Sequence, residues 1–156
     1  MLLSAGQKAP FFTLPDKDGN IVSIADSLGK KTILCFYPRD NSPGCIRQAC
    51  AIANQYDEIK ARGAEILCIN KDCQSSHRRF AEKYSLPQTL LSNPIMDVIK
   101  AYGVWQQKRL YGQVAYGIVR TTYIIDEKGY IEHVFTKVKP DKSAQDIIDY
   151  LDGKKQ

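Results

Sequence analysis

Two short runs decide most of what this chain can become. Residues 32–37 (TILCFY) and 64–70 (AEILCIN) are apolar almost without interruption and rich in β-forming side chains. A strand with one wet face alternates polar and apolar residues, whereas a continuous run of this length suits a strand covered on both faces. Between them the period changes. Over residues 45–62, Ala49, Ile52, Ala53, Tyr56 and Ile59 fall on one side of a helix, and Gly63 is placed to stop it.

The remaining punctuation extends the pattern. Residues 11–14 and 21–24 flank Asp18-Gly19 and predict a short N-terminal hairpin. Ser75 or Ser76 is expected to cap a helix reaching about Tyr84, which Leu86-Pro87 ends. Leu90 and Leu91 suggest a short strand before a helix that begins at Pro94 and closes at Gly103. Residues 118–125 and 130–138 flank a turn at 126–129 and predict a longer hairpin, and Ser143 starts a last amphipathic helix through Ile147, Ile148 and Leu151. Strands alternating with helices, followed by a late antiparallel hairpin, imply an α/β fold: a central mixed sheet with helices on both faces. The pattern is compatible with a thioredoxin-like fold and does not by itself separate it from other three-layer α/β arrangements.

A chain of 156 residues fits one domain spanning 1–156, large enough to bury about two-thirds of the surface its unfolded form would expose. The opening segment MLLSAGQKAPFF has no basic flank and only a brief apolar run, so a cytoplasmic protein is expected, with no membrane partner. Five cysteines, an odd number, point to reduced thiols rather than a disulfide framework; any disulfide is expected to be transient. The formal charge of +5 comes from scattered pairs such as Lys30-Lys31, Arg78-Arg79 and Lys108-Arg109. They form no basic stripe interleaved with aromatics, so they read as solvated surface and not as a nucleic-acid face.

The stretch FYPRDNSPGCIRQAC, residues 36–50, carries the chemistry. With Ser42 as N-cap, Pro43 falls at N1 and Cys45 at N3 of the helix. Unpaired backbone donors and the positive end of the helix dipole favour the ionised thiol there, as in cysteines whose pKa falls to about 3.5–7.5. Ionisation alone accomplishes little: a roughly thirtyfold gain in thiolate is largely offset by about a tenfold loss of nucleophilicity. A fast reaction needs donors around the leaving group. Ser42 offers a hydroxyl, and Arg120, which interrupts the apolar run GIVRTTYII, offers a guanidinium unless it faces solvent.

Cys50 lies five residues beyond Cys45. On an intact helix that separation is about 8.6 Å between Cα atoms, whereas a disulfide needs less than about 7 Å. The two can join only if the first helical turns unwind, which would also expose the bond to an external reductant. A small buried hydrophobe is the other reading of Cys50. A metal site is disfavoured, because CxxxxC is not a common ligand spacing and His77 and His133 stand apart without partner clusters.

These residues resemble the peroxidatic motif of the peroxiredoxins, in the branch known as bacterioferritin comigratory protein or peroxiredoxin Q. The likeness continues through GQKAPFFTLPDKDG, SSHRRFAEKYSLPQTLLSN, GVW and YGIVRTTYIIDEKGYIEHVFTKVK. The resemblance implies a thioredoxin fold and reduction of hydrogen peroxide and organic hydroperoxides. It makes Cys45 the peroxidatic and Cys50 the resolving cysteine. Ser42 and Arg120 would hold the peroxide oxygens and Pro38 would shield the sulfur. Thioredoxin, or a glutaredoxin, would be the reductant; no metal, haem or flavin is implied, and a monomer is expected. Two departures stand out: Ser42 replaces the family's usual threonine, and Cys73 replaces a common serine, which makes it a rival resolving cysteine. Cys35 and Cys68 read as core packing and His77 as surface. The competing function is a peroxide sensor, a redox-regulated binding protein without sustained turnover. A thioredoxin-type disulfide reductase is disfavoured by the lack of CxxC.

Overall fold

The computed structural model describes residues 1–154. A short hairpin, β1 (Thr13–Pro15) and β2 (Ile21–Ser23), precedes β3 (Lys31–Phe36), α1 (Pro43–Asn54), α2 (Tyr56–Ala61) and β4 (Ala64–Asn70). Then follow α3 (Gln74–Tyr84), β5 (Thr89–Ser92), α4 (Asp97–Ala101), a second hairpin of β6 (Trp105–Leu110) and β7 (Gln113–Ile118), β8 (Thr121–Ile125), β9 (Ile131–Phe135) and α5 (Ser143–Leu151). The central sheet has the order β5-β4-β3-β8-β9. Strands β3, β4 and β5 run parallel, and β8 returns antiparallel beside β3 with β9 outside it. This is the mixed sheet of a thioredoxin-like α/β fold.

The apolar runs are continuous because both faces of the sheet are covered. Along β3 and its exit, Ile33, Cys35 and Tyr37 enter the core shared with α1, α3 and α5, while Leu34 and Phe36 enter the core beneath α4 and the N-terminal segment. The period of two thus sorts alternate side chains into two cores that are equally dry. No helix among the described residues is long and apolar enough to cross a membrane.

Several local expectations are corrected, and one element is new. The helix predicted over 45–62 breaks at Gln55 (φ −114°, ψ 15°), giving α1 and α2. Pro94 does not begin a helix, because Met96 adopts a left-handed conformation (φ 63°) and only Asp97–Ala101 is helical. Cys73, not Ser75 or Ser76, is the N-cap of α3. The β6–β7 hairpin had no counterpart in the sequence reading; its two-residue turn, Tyr111-Gly112, has positive φ at both positions (52° and 77°), as a type I′ turn requires.

Candidate active site

The loop between β3 and α1 places the motif. Asn41 takes a left-handed conformation (φ 63°), Ser42 is the extended N-cap (φ −75°, ψ 147°) and Pro43 opens α1. Cys45 therefore lies in the first turn, as its spacing predicted, with its residue 1% exposed. Ser42 Oγ donates to Arg39 O (3.3 Å), and the Ser42 carbonyl accepts the first helical bond from Ile46 N (2.9 Å). Pro38 sits half-buried two residues beyond the end of β3.

Arg120 arrives from the short connection between β7 and β8. Its Nη1 donates to Cys45 Sγ (3.4 Å) and to Gln48 Oε1 (2.5 Å). Gln48 is buried on the same face of α1, one turn beyond Cys45, and its Nε2 donates to Ser143 Oγ at the start of α5 (3.1 Å). Gly44 permits the approach: a Cβ at that position would stand 3.2 Å from Arg120 Nη2. Lys108 on β6 lies across Gly117 and lines a groove of about 430 Å³ with Pro38, Arg39, Lys71, Trp105 and Ile118. Burial and the neighbouring Arg120 lower the Lys108 ammonium's pKa, while Cys45 acts in the opposite direction. Sequence reasoning singled out Arg120 but not Gln48, Ser143 or Lys108. Gln48 carries a faint signal, standing three residues after Cys45 on one helical face; the other two carry none.

Cys50 is half-buried on α1. Cys45 and Cys50 are both free thiols within one continuous helix, a geometry that keeps them too far apart to bond. Cys35 and Cys68 face each other across β3 and β4 and are buried, as expected of packing residues. A hydrogen bond with Cys35, together with burial, pushes the Cys68 thiol well up. Cys73 is exposed, and its contact with Ser75 Oγ (3.1 Å) and nearby backbone N–H groups lower its pKa.

His77 is not on the surface. It is fully buried against Asp40, with Nδ1 2.8 Å from Asp40 Oδ2 and Nε2 3.2 Å from Leu91 O. Asp40 also accepts from Tyr37 Oη (2.7 Å), Ser76 Oγ (2.7 Å) and Asn70 Nδ2 (3.3 Å). Burial works to raise the Asp40 carboxyl, but the bonds and charge of His77, with the Ser76 and Tyr37 hydroxyls, outweigh it and hold the group below its ordinary range. The helical period places His77 on the face of α3 that also buries Phe80 and Ala81, a signal that the adjacent arginines obscured.

The AhpC/TSA family model matches residues 5–134. A bcp-type peroxiredoxin from Coxiella burnetii is 42% identical over 151 residues, covering 97% of this chain and 100% of the relative. Peroxiredoxin Bcp of Escherichia coli K12 is 40% identical over 149 residues, 96% of each chain. Among solved structures, Xanthomonas campestris peroxiredoxin Q superposes with a TM-score of 0.89 at 26% identity, over 96% of this chain and 97% of that one. The bacterioferritin comigratory protein of the same organism, studied for its alkyl peroxide reduction activity, superposes equally well at 25% identity over 96% and 98%. With the thiol, the guanidinium and the fold in this arrangement, the chain belongs to the AhpC/TSA family, among the peroxiredoxins of the bacterioferritin comigratory protein and peroxiredoxin Q branch.

Proposed function

We propose that this thiol peroxidase reduces hydrogen peroxide and organic hydroperoxides at Cys45 and recycles through a Cys45–Cys50 disulfide. The observation that carries the reading is the Arg120 guanidinium against Cys45 Sγ at the first turn of a helix. The Cys45 thiolate attacks one peroxide oxygen and the O–O bond breaks. An S–O bond forms, and the departing hydroxide or alkoxide leaves as water or alcohol after taking a proton. Arg120 and the backbone N–H groups of the first turn stabilise charge on the leaving oxygen. Ser42 supplies its hydroxyl once it turns from Arg39 O, and Pro38 keeps bulk water from the sulfur.

The sulfenic acid on Cys45 then condenses with the Cys50 thiol, releasing water and forming the S–S bond. Because one helix holds both sulfurs, its first turns unwind before they meet, and the exposed disulfide accepts two electrons from a thioredoxin dithiol. Cys45→Ser is expected to abolish peroxide consumption in an assay with thioredoxin, its reductase and NADPH. Cys50→Ser should be oxidised once and then fail to turn over. Normal cycling by Cys50→Ser, with Cys73→Ser stalled, would reassign the resolving cysteine to Cys73. Stoichiometric oxidation of the wild type without turnover would favour a sensor.

A further inference from the structure

The catalytic reading leaves one buried charged cluster unused. Asp40 lies in the connection between β3 and α1, two residues after Pro38 and two before Ser42. Its carboxylate accepts from four side chains: Tyr37, Asn70, Ser76 and His77. Its backbone N–H donates to Asp72 Oδ2 (2.7 Å). His77 faces acceptors with both ring nitrogens, the Asp40 carboxylate and the Leu91 carbonyl. The His77 ring therefore bridges the Asp40 carboxylate and the Leu91 carbonyl, joining the loop to β5.

A buried pair of this kind adds little net stability but fixes geometry, since removing either partner leaves the other uncompensated. What it fixes here is specific. Asp40 is tied to Asn70 at the end of β4, to Asp72 just beyond it and to Ser76 and His77 of α3, with His77 reaching Leu91 of β5, all outside α1, while Asn41 immediately turns the chain into the N-cap with its left-handed backbone.

We propose that Asp40 and His77 are positioning residues for peroxide reduction. Through the loop between Pro38 and Ser42, the buried pair holds the proline shield and the serine hydroxyl in register with Cys45 while the first turns of α1 open and close. The proposal rests on the assignment of Cys45 as the peroxidatic cysteine. Neither side chain touches the peroxide, so its signature is a loss of selectivity and not of general thiol reactivity. Peroxide needs the oriented loop donors; alkylation by iodoacetamide needs only the thiolate.

The test compares second-order rate constants of Cys45 with hydrogen peroxide and with iodoacetamide in the full chain, for the wild type, Asp40→Asn, His77→Gln and the milder Ser76→Ala. Thermal melting and circular dichroism are recorded alongside. The peroxide rate of Asp40→Asn and His77→Gln should fall at least tenfold relative to the alkylation rate, with Ser76→Ala shifted in the same direction by a smaller factor. If the melting temperature falls while the ratio of the two rates stays at the wild-type value, the pair is only structural and the proposal is overturned. Should the first two variants not fold, an unchanged ratio in Ser76→Ala overturns it equally. A wild type no faster with peroxide than with iodoacetamide would overturn both this proposal and the peroxidatic assignment beneath it.

Discussion

Arg120 divides one guanidinium nitrogen between Cys45 Sγ at 3.4 Å and Gln48 Oε1 at 2.5 Å. The amide contact is the shorter, so Gln48 fixes the orientation of the guanidinium and leaves its remaining N–H groups for an oxygen beside the sulfur. On this geometry Arg120→Met should slow oxidation of Cys45 by about a hundredfold or more, the loss typical of removing one donor that faces developing negative charge. Stopped-flow measurement of the first oxidation, with the chain still folded by circular dichroism, checks it; a change under threefold would remove Arg120 from the site. Arg120 was legible as a charge interrupting GIVRTTYII, although the run alone left a solvent-facing arginine open and the family resemblance gave it its role. Gln48 and Ser143 were not. A glutamine on a helix announces nothing until the fold brings another chain segment to it, here 95 residues away.

At the scale of elements, α1 was readable from its cap, its proline and its apolar period, and the structure places Ser42, Pro43 and Cys45 at the positions those signals gave. The β6–β7 hairpin was not readable. Its inner residues Trp105 and Ile118 pair across the ribbon, but much of β7 is exposed and polar residues fill β6, so no apolar alternation marks it. The strand predicted over 118–125 is in fact divided at residues 119 and 120, and that division is what aims Arg120 toward α1. The Gln48–Ser143 bond ties the first turns of α1 to α5 and would break in the unwinding proposed for the Cys45–Cys50 disulfide. Ser143→Ala leaves the buried Gln48 amide without this partner, at a cost of about 1–3 kcal/mol to the packed form alone. The open form gains by the same amount. Disulfide formation should therefore quicken, and at excess peroxide less Cys45 should proceed to sulfinic acid than in the wild type, as read by mass spectrometry. Equal or greater overoxidation would show that unwinding does not break this contact.

For the molecule as a whole, the two apolar runs and the spacing of turns specified the sheet, because strands dry on both faces need helices above and below. The buried Asp40–His77 pair lay beyond that logic: its residues are 37 apart, and His77 beside two arginines reads as exposed. Its consequence is a pH dependence of global stability. Asp40 titrates in the folded chain below its ordinary value of 3.8, so the unfolded chain takes up its proton first as the solution is acidified. Stability from this group is complete above that ordinary value and declines as pH falls through the folded one. Asp40→Asn removes the charge at every pH. At neutral pH the variant should be less stable than the wild type by about 3–5 kcal/mol, the usual cost of leaving one member of a buried pair alone. In urea unfolding followed from neutral pH to well below that ordinary value of 3.8, the gap should stay constant above it and narrow below it, because acid takes from the wild type what the variant never had. A gap that stays constant across that range would mean that Asp40 is not held as a carboxylate by His77.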